Sequence, residues 1–373
     1  MIKRIKAKHL KPGMYIHKLE CKWSHHPFFL NQFKVKTEKE VYKVKKAGIA
    51  YVQIDTEKGD DLVADITCFE EEIKTSMKIA SEAKNCITGV MEDVKLGKHV
   101  QVDAVSQVVN KMTDSVFRNE SALLCLGQIR SKDSYLFEHS VNIGVLLAVF
   151  GKHKGFSREV LDPLVLGAFM HDIGKIKIPD HILHKPGRLT KEEFEVMKMH
   201  VVYTEEVLEK TEGIPDTARQ IASEHHEKIN GQGYAKGLKK DEISLYGKMA
   251  GITDVYDALT ASRCYHEGRP PTEALKMMMD WCGAHFETVL FQEFVKCMGV
   301  FPVGSFVELT NGQLALVLEN SKNPLRPHVR IVMDHKKKRL LSPSDVSLTQ
   351  SELRIVDVVD PKLYKINIGE FLG

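Results

Sequence analysis

The sequence has no closely spaced cysteine pairs and no long apolar run. Its seven cysteines are scattered and never stand in a CxxC spacing, a pattern typical of reduced, buried thiols rather than of a disulfide framework. The opening stretch, MIKRIKAKHLKPGMY, lacks the apolar core of a signal peptide. No hydrophobic stretch approaches the ~20 residues that a transmembrane helix needs. These absences predict a cytoplasmic protein without a membrane span.

The sequence also lacks a large excess of either positive or negative charge. The formal net charge is +3 over 373 residues, whereas a protein that binds nucleic-acid polymers is expected to carry a strongly basic face. The chain is 43% hydrophobic and 28% charged, which is typical of a globular protein with a substantial core. Its length predicts two or three domains of about 100–200 residues each.

Four segments of the chain differ in pattern. Short strands and one short helix predict a small α+β domain over residues 1–64. Apolar residues at helical spacing predict a helical connector over 65–120, either a packing or dimerising helix or a connector that transmits a signal. Helices with short breaks fill 121–300. Alternating apolar residues around Asn311-Gly312 predict a hairpin in a β-rich extension over 301–373. The predicted fold class is therefore mainly α.

Histidines and aspartates recur beside apolar stretches of the helical segment. A lone buried histidine is more often a satisfied core residue than a ligand, but five histidines and two aspartates favour a metal site. Imidazole and carboxylate together suit Fe, Mn, Zn or Ni better than Mg or Ca. The candidate ligands are His139, His171, Asp172, His200, His225, His226 and Asp254.

Seven ligands are too many for one tetrahedral ion and suit two metals that share Asp172. Adjacent helical residues point ~100° apart, so the pairs His171-Asp172 and His225-His226 require a site inserted between helices. Two metals ~3.5–4 Å apart are a known solution for phosphate-ester hydrolysis. Lys175 follows His171 by four residues, so we expect it on the same helical face, where it could bind a phosphate oxygen or protonate a leaving oxygen.

The motifs HDIGK, HHE…NGQGY and DVYDALTASR, in this order, resemble the HD-GYP domain, a subgroup of the HD-domain metal phosphohydrolases. The resemblance covers roughly Ser121 to Met298. A segment of about fifty residues near the N-terminus is similar to a domain of unknown function that often precedes such domains. The resemblance implies a multi-helix, HD-type metal-binding core.

The resemblance also implies the chemistry. One metal would be held by His139, His171, Asp172 and Asp254. Asp172 would bridge to a second metal held by His200, His225 and His226, and a water or hydroxide between the metals would attack phosphorus. The two divalent ions would be Fe or Mn, with Ni and Zn as alternatives. The implied catalytic residues are Asp172 and Lys175, and the implied substrate contacts are Arg263, His266, Tyr234 and Lys175.

The implied substrate is cyclic di-GMP or 3′,3′-cyclic GMP-AMP, cleaved to a linear dinucleotide or mononucleotides in bacterial second-messenger signalling. The implied partners are a diguanylate-cyclase-type or other signalling protein and a second copy of the chain. Arg263 could serve the site only if the helix that carries Asp254 ends near Ser262, because nine residues along an unbroken helix place it on the opposite face.

Several positions depart from the family pattern, although none of them removes a ligand. Ala235 stands where the signature triplet has proline, and Asn230 where the loop usually has aspartate. His266 replaces a phosphate-contacting lysine. Tyr135 occupies the position of a glutamate that would hold a third metal, and Val201 replaces a common proline. These changes bear on loop shape and substrate preference.

Two other functions stay open. A general HD-type nucleotide phosphohydrolase needs only His139, His171, Asp172 and Asp254, so the three further histidines argue against it. A non-enzymatic cyclic-dinucleotide receptor or adaptor is favoured by the altered signature loop and disfavoured by the complete ligand set.

Overall fold

The computed structural model describes residues 2–7, 10–21, 28, 30, 32–47, 49, 51–59, 67–128, 135–261 and 268–372. The chain divides into two compact units, Met1–Ile66 and Thr67–Gly373. Among the described residues, no helix combines the length and the apolar character needed to cross a bilayer.

The first unit is a small sheet with one helix. The helix, α1 (Glu38–Lys46), begins with a capping box in which Thr37 and Glu40 satisfy each other's backbone amides. Its buried Val41 and Val44 join the apolar core of the sheet. The strands form an antiparallel sheet in the order β1-β4-β2-β3. They are β1 (Ile2–Lys6), β2 (Tyr15–Leu19), β3 (Phe33–Lys34) and β4 (Tyr51–Asp55).

The second unit is mainly helical, as the sequence predicts. Its longest runs of buried residues lie in α5 and α6, which form the centre of the core. Its α-helices are α2 (Phe69–Lys95), α3 (Val102–Arg118), α4 (Glu120–Leu126), α5 (Tyr135–His153), α6 (Arg158–Met170), α7 (Asp180–Leu183), α8 (Lys191–Glu209), α9 (Asp216–Glu224), α10 (Leu245–Thr260), α11 (Pro271–Asp280) and α12 (Thr288–Met298).

The region predicted as a connector forms two long helices that pack on this core. Val105, Val109 and Met112 of α3 are fully buried in it. The two helices are also joined by an ion pair, because half-buried Arg118 donates two hydrogen bonds of 2.7 Å to the buried Glu72 carboxylate. Ser115 donates a third, also at 2.7 Å.

The C-terminal segment forms an antiparallel sheet in the order β8-β7-β6-β5-β9. The predicted turn at Asn311-Gly312 joins its first two strands, and Gly312 adopts the positive φ of 76° that favours glycine there. The strands are β5 (Phe306–Leu309), β6 (Gln313–Glu319), β7 (His328–Asp334), β8 (Arg339–Ser347) and β9 (Ile355–Val358).

Candidate metal centre

The HD pair lies where a helix ends. Helix α6 stops at Met170, His171 is its C-cap, and Asp172 begins a 3-10 helix over Ile173–Lys177. The expectation that Lys175 continues the helix of His171 was therefore wrong. Lys175 instead reaches back from the 3-10 helix and donates a hydrogen bond to Asp172 Oδ2.

The two neighbouring histidines also straddle a helix end. Helix α9 stops at Glu224, and His225 is its C-cap. Since the backbone leaves the helix at this point, both imidazoles can turn toward one centre. The other candidate ligands come from helix interiors: His139 from α5, His200 from α8 and Asp254 from α10.

All seven candidate ligands converge on one buried centre, in two sets. Within each set the ligand atoms lie within 4.8 Å of one another. The sets are Asp172, His200, His225 and His226, and His139, His171 and Asp254.

The two oxygens of Asp172 face different sets. Oδ2 lies 3.4 Å from His139 Nε2 and 3.3 Å from His171 Nε2. Oδ1 lies 3.4 Å from His200 Nε2 and 3.9 Å from His225 Nε2. Asp254 is divided in the same way, with Oδ1 3.1 Å from His139 Nε2 and Oδ2 3.5 Å from His226 Nδ1. Both carboxylates therefore lie between the two sets of imidazoles.

Several ligand atoms are buried without a hydrogen-bond partner in the described part of the chain. These atoms are His171 Nε2, Asp172 Oδ1, His200 Nε2 and His225 Nε2. An unsatisfied buried polar atom costs about 1–3 kcal/mol, so four that face one another indicate a missing positive partner. Imidazole and carboxylate donors of this kind fit a transition-metal ion.

The imidazoles are oriented by the backbone. The His171 Nδ1–H donates to the Ala168 carbonyl, and the His200 Nδ1–H donates to the Met197 carbonyl, each at 2.6 Å. The His225 Nδ1–H donates to the Ala222 carbonyl at 2.9 Å. A hydrogen bond on one ring nitrogen fixes the tautomer and leaves the other nitrogen with its lone pair directed inward.

Burial sets the protonation states that metal binding requires. It lowers the pKa of His200 to about 4 and that of His226 to about 3. Burial opposes ionisation of Asp172, but the neighbouring His171 and Lys175 and the hydrogen bonds of His139 and His171 hold its pKa well below the usual range. Neutral imidazoles and ionised carboxylates are the forms that coordinate metals.

Gly174 of the HDIGK motif allows the 3-10 helix to approach α8. A Cβ atom at this position would lie 2.2 Å from His200 O and 2.5 Å from Thr204 N. The Thr204 hydroxyl lies 3.1 Å from His171 O and accepts a 3.0 Å hydrogen bond from Gly174 N–H. Sequence reasoning missed Thr204, although its position one turn after His200 was a usable signal.

Glu227 holds the glycine-rich loop together. Its carboxylate accepts hydrogen bonds from the backbone amides of Lys236, Gly237 and Leu238 at 2.7, 3.0 and 3.0 Å. The loop also passes so close to Glu227 that a Cβ on Gly233 would lie 2.5 Å from Glu227 Cα. The acidic residue of the HHE motif therefore positions the loop, a role that the sequence analysis did not assign.

Tyr234 lies against the ligand set. Its ring centroid is 4.6 Å from that of His226, with 33° between the planes, and its peptide bond to Ala235 is cis. Burial raises the pKa of the phenol, so the ring is neutral at neutral pH. Tyr234 therefore lines the candidate metal centre.

Asp257 was also missed by the sequence analysis. Its Oδ2 lies 2.7 Å from His139 Nδ1, and its Oδ1 accepts a hydrogen bond from the Asn142 amide. Asp257 follows Asp254 by three residues on α10, so the shared helical face was the available signal. A carboxylate on the outer nitrogen of a metal-ligating histidine fixes the ring and raises its basicity.

Two predicted substrate contacts, Arg263 and His266, lie outside the described residues, as does the side chain of Tyr135. The helix that carries Asp254 ends at Thr260. The condition set for Arg263, a helix end near Ser262, is therefore met.

Comparisons with known proteins show the family. The family model for the HD domain matches residues 125–289. A curated protein of Pseudomonas aeruginosa, named a cyclic di-GMP phosphodiesterase, is 32% identical over 364 residues, which is 91% of this chain and 87% of the relative. The chain belongs to the HD-GYP family.

Other matches extend over the rest of this HD-GYP chain. A domain of unknown function (DUF3391) matches residues 2–105, and a KOW domain associated with HD domains matches 306–367. A Vibrio cholerae protein named a 3′3′-cGAMP-specific phosphodiesterase is 37% identical over 139 residues, 37% of this chain and 27% of the relative. The structure of an HD-GYP protein from Bdellovibrio bacteriovorus shares the fold, with a TM-score of 0.52, 18% identity, and coverage of 79% of this chain and 99% of that one.

Proposed function

We propose that this protein is a metal-dependent phosphodiesterase that hydrolyses a cyclic dinucleotide, cyclic di-GMP or 3′,3′-cyclic GMP-AMP, to a linear dinucleotide or mononucleotides. The observation that carries the proposal is the placement of Asp172, whose two oxygens face two separate sets of imidazoles. The names of the relatives from Pseudomonas aeruginosa and Vibrio cholerae support the substrate class.

The cofactor in this proposal is a pair of divalent ions, Fe or Mn before Ni or Zn. One set of ligands is His139, His171 and Asp254, the other is His200, His225 and His226, and Asp172 belongs to both. When bound, such ions polarise phosphoryl oxygens and activate water. A general HD-type phosphohydrolase would leave the second set of histidines without a role.

Lys175 is the proposed general acid. Hydrolysis forms a bond from a water oxygen to phosphorus, breaks the bond from phosphorus to the ribose oxygen, and requires a proton on that leaving oxygen; the proton that the water loses balances the one that Lys175 gives up. Lys175 contacts Asp172, and its side chain is 19% exposed, so the ammonium lies at the partly exposed edge of the centre. From there it could neutralise charge on the phosphoryl group and protonate the leaving oxygen.

Asp172→Ala tests the function. The protein is purified anaerobically, its metal content is measured, and products from both cyclic dinucleotides are separated by chromatography. We expect about two metals per wild-type chain and a linear product, and loss of turnover and of most metal in the variant. Asp180→Ala, at an exposed aspartate eight residues further on, serves as the control. An active, metal-loaded Asp172→Ala protein would contradict the proposal. If the wild-type chain binds a cyclic dinucleotide without metal and forms no product, a non-enzymatic receptor would be favoured instead.

The proposal extends to a diguanylate-cyclase-type or other signalling partner and to a homodimer. Light scattering of the purified chain tests the second of these, because a dimer would have twice the chain's mass of 42.2 kDa.

A further inference from the structure

An aromatic and cationic rim continues outward from the metal centre. It consists of Tyr234, Phe194 and Lys198. The ring centroids of Phe194 and Tyr234 are 6.0 Å apart at 86°. The ammonium of Lys198 lies 5.1 Å from the Phe194 centroid and 5.7 Å from the Tyr234 centroid. Since Tyr234 also lies against His226, the rim begins at a candidate metal ligand.

The α8 part of the rim is accessible. Phe194 and Lys198 are four residues apart and share a face of α8. Phe194 is 42% exposed and lies outside the hydrophobic core. The Lys198 side chain is 28% exposed, and its ammonium is held by Glu195 Oε1 at 2.7 Å. An isolated exposed aromatic residue is common, but this ring contacts a lysine ammonium and a tyrosine that lies against a candidate metal ligand.

A similar pair, formed by Tyr203 of α8 and Lys177 of the 3-10 helix, provides a comparison. The ammonium of Lys177 lies 5.3 Å from the ring centroid of Tyr203 and is paired with Glu206 at 3.1 Å. Tyr203 is nine residues after Phe194, which places it on the opposite face of the helix. The same kind of aromatic and lysine contact therefore occurs on the opposite face of α8, where Tyr203 meets Lys177 of the 3-10 helix, and Tyr203 can serve as a matched control.

We propose that Phe194 and Lys198 recognise the purine base next to the phosphate, with Phe194 stacking on the ring and Lys198 contacting its acceptor edge. The proposal rests on the proposed function, which places that phosphate at the metal centre. Stacking tolerates any base because every base has a π face. Guanine, however, presents two acceptors, O6 and N7, where adenine presents one acceptor and a donor. Lys198 therefore makes this position selective for guanine.

Binding of nucleotide fragments to the metal-loaded full chain tests the two roles separately. Dissociation constants are measured by calorimetry for GMP, AMP and ribose 5-phosphate. Phe194→Ala should weaken the binding of GMP and of AMP about tenfold each, and should weaken the binding of ribose 5-phosphate far less. Lys198→Met keeps the apolar part of the side chain. It should weaken the binding of GMP about tenfold and change the binding of AMP little. Tyr203→Ala should change none of the three. Phe194→Leu, which keeps an apolar side chain without the ring, and metal analysis of each variant control for a folding defect.

Two outcomes would overturn the proposal. If Phe194→Ala weakens ribose 5-phosphate as much as GMP, the ring does not contact the base. If Lys198→Met weakens GMP and AMP equally, the lysine does not read the base. Failure of the proposed function looks different: the wild-type chain would bind GMP through Phe194 but would release no product from either cyclic dinucleotide.

Discussion

At the scale of single residues, Asp257 shows how a side chain outside the ligand set can control it. His139 has Asp257 on its outer nitrogen and Asp172 and Asp254 near its inner nitrogen. The orientation of this ring therefore depends on a carboxylate that belongs to neither candidate ligand set. Asn142 holds that carboxylate from its other side, so the position of His139 is fixed through two successive hydrogen bonds.

Replacing Asp257 should weaken metal binding without removing a ligand. We expect Asp257→Ala to lower metal affinity by about 10–100-fold, the usual cost of losing an outer hydrogen bond on a ligating histidine. Asp257→Asn keeps a hydrogen-bond acceptor but not the charge, so its metal affinity should lie between those of Asp257→Ala and the wild type. Calorimetric metal titration measures this directly. Asp280→Ala, at an exposed position, is the control, and unchanged affinity in Asp257→Ala would contradict the assigned role.

At the scale of elements, the centre depends on the close approach of the 3-10 helix Ile173–Lys177 to α8. This contact places Asp172 between His171 and His200. It is possible only because residue 174 has no side chain, since a Cβ there would overlap the α8 backbone. Backbone atoms cannot move aside as the end of a flexible side chain can, so the two elements would have to separate.

Two glycine substitutions should therefore have opposite effects. Gly174→Ala should destabilise the fold by about 1–3 kcal/mol, as overpacking does, and reduce metal content. Gly89→Ala should stabilise it by about 0.5–1 kcal/mol, because Gly89 is exposed inside α2 with no atom within 4 Å of an added Cβ. Urea unfolding and metal analysis of both variants check the pair. A Gly174→Ala protein as stable as wild type would contradict the close packing of the 3-10 helix Ile173–Lys177 on α8.

At the scale of the whole molecule, the N-terminal helices of the second unit depend on an ion pair with a buried carboxylate as well as on apolar packing. Glu72 is 2% exposed and accepts hydrogen bonds from Arg118, Ser115 and Thr67. Burial opposes its ionisation, but the hydrogen bonds from Arg118 and Ser115 lower its pKa below the ordinary 4.5. Because the folded pKa is lowered, the ionised carboxylate stabilises the fold above pH 4.5, and this contribution is lost as the pH falls through the folded pKa.

Glu72→Gln should accordingly lower the free energy of unfolding by about 1.5–3 kcal/mol at neutral pH, the usual contribution of hydrogen bonds to a charged group. The difference from wild type should be constant above about pH 6 and should narrow as the pH falls below 4.5. Urea unfolding at several pH values measures it. Glu82→Gln is a matched control, because its pair with Lys111 joins the same two helices at the surface and should be worth no more than about 1 kcal/mol. A pH-independent difference would contradict the assignment.

Residue type and order were enough to predict the mainly helical fold and the candidate ligands, because buried imidazoles and carboxylates in such number need a common partner. Spacing along the chain was less reliable. It placed Lys175 on a continuous helix that actually ends at Met170. Spacing also gave no role to Glu227, whose partners are backbone amides nine to eleven residues later.

By itself, the sequence determined which side chains could bind metal, since their chemistry is a property of each residue. Only the tertiary structure decided that the HD and HH pairs lie at helix ends, that Asp172 and Asp254 each face both sets of imidazoles, and that Phe194 lies beside Tyr234. These features depend on contacts between helices that are far apart in the chain. Local periodicity carries no information about such contacts, because packing of the whole core sets them.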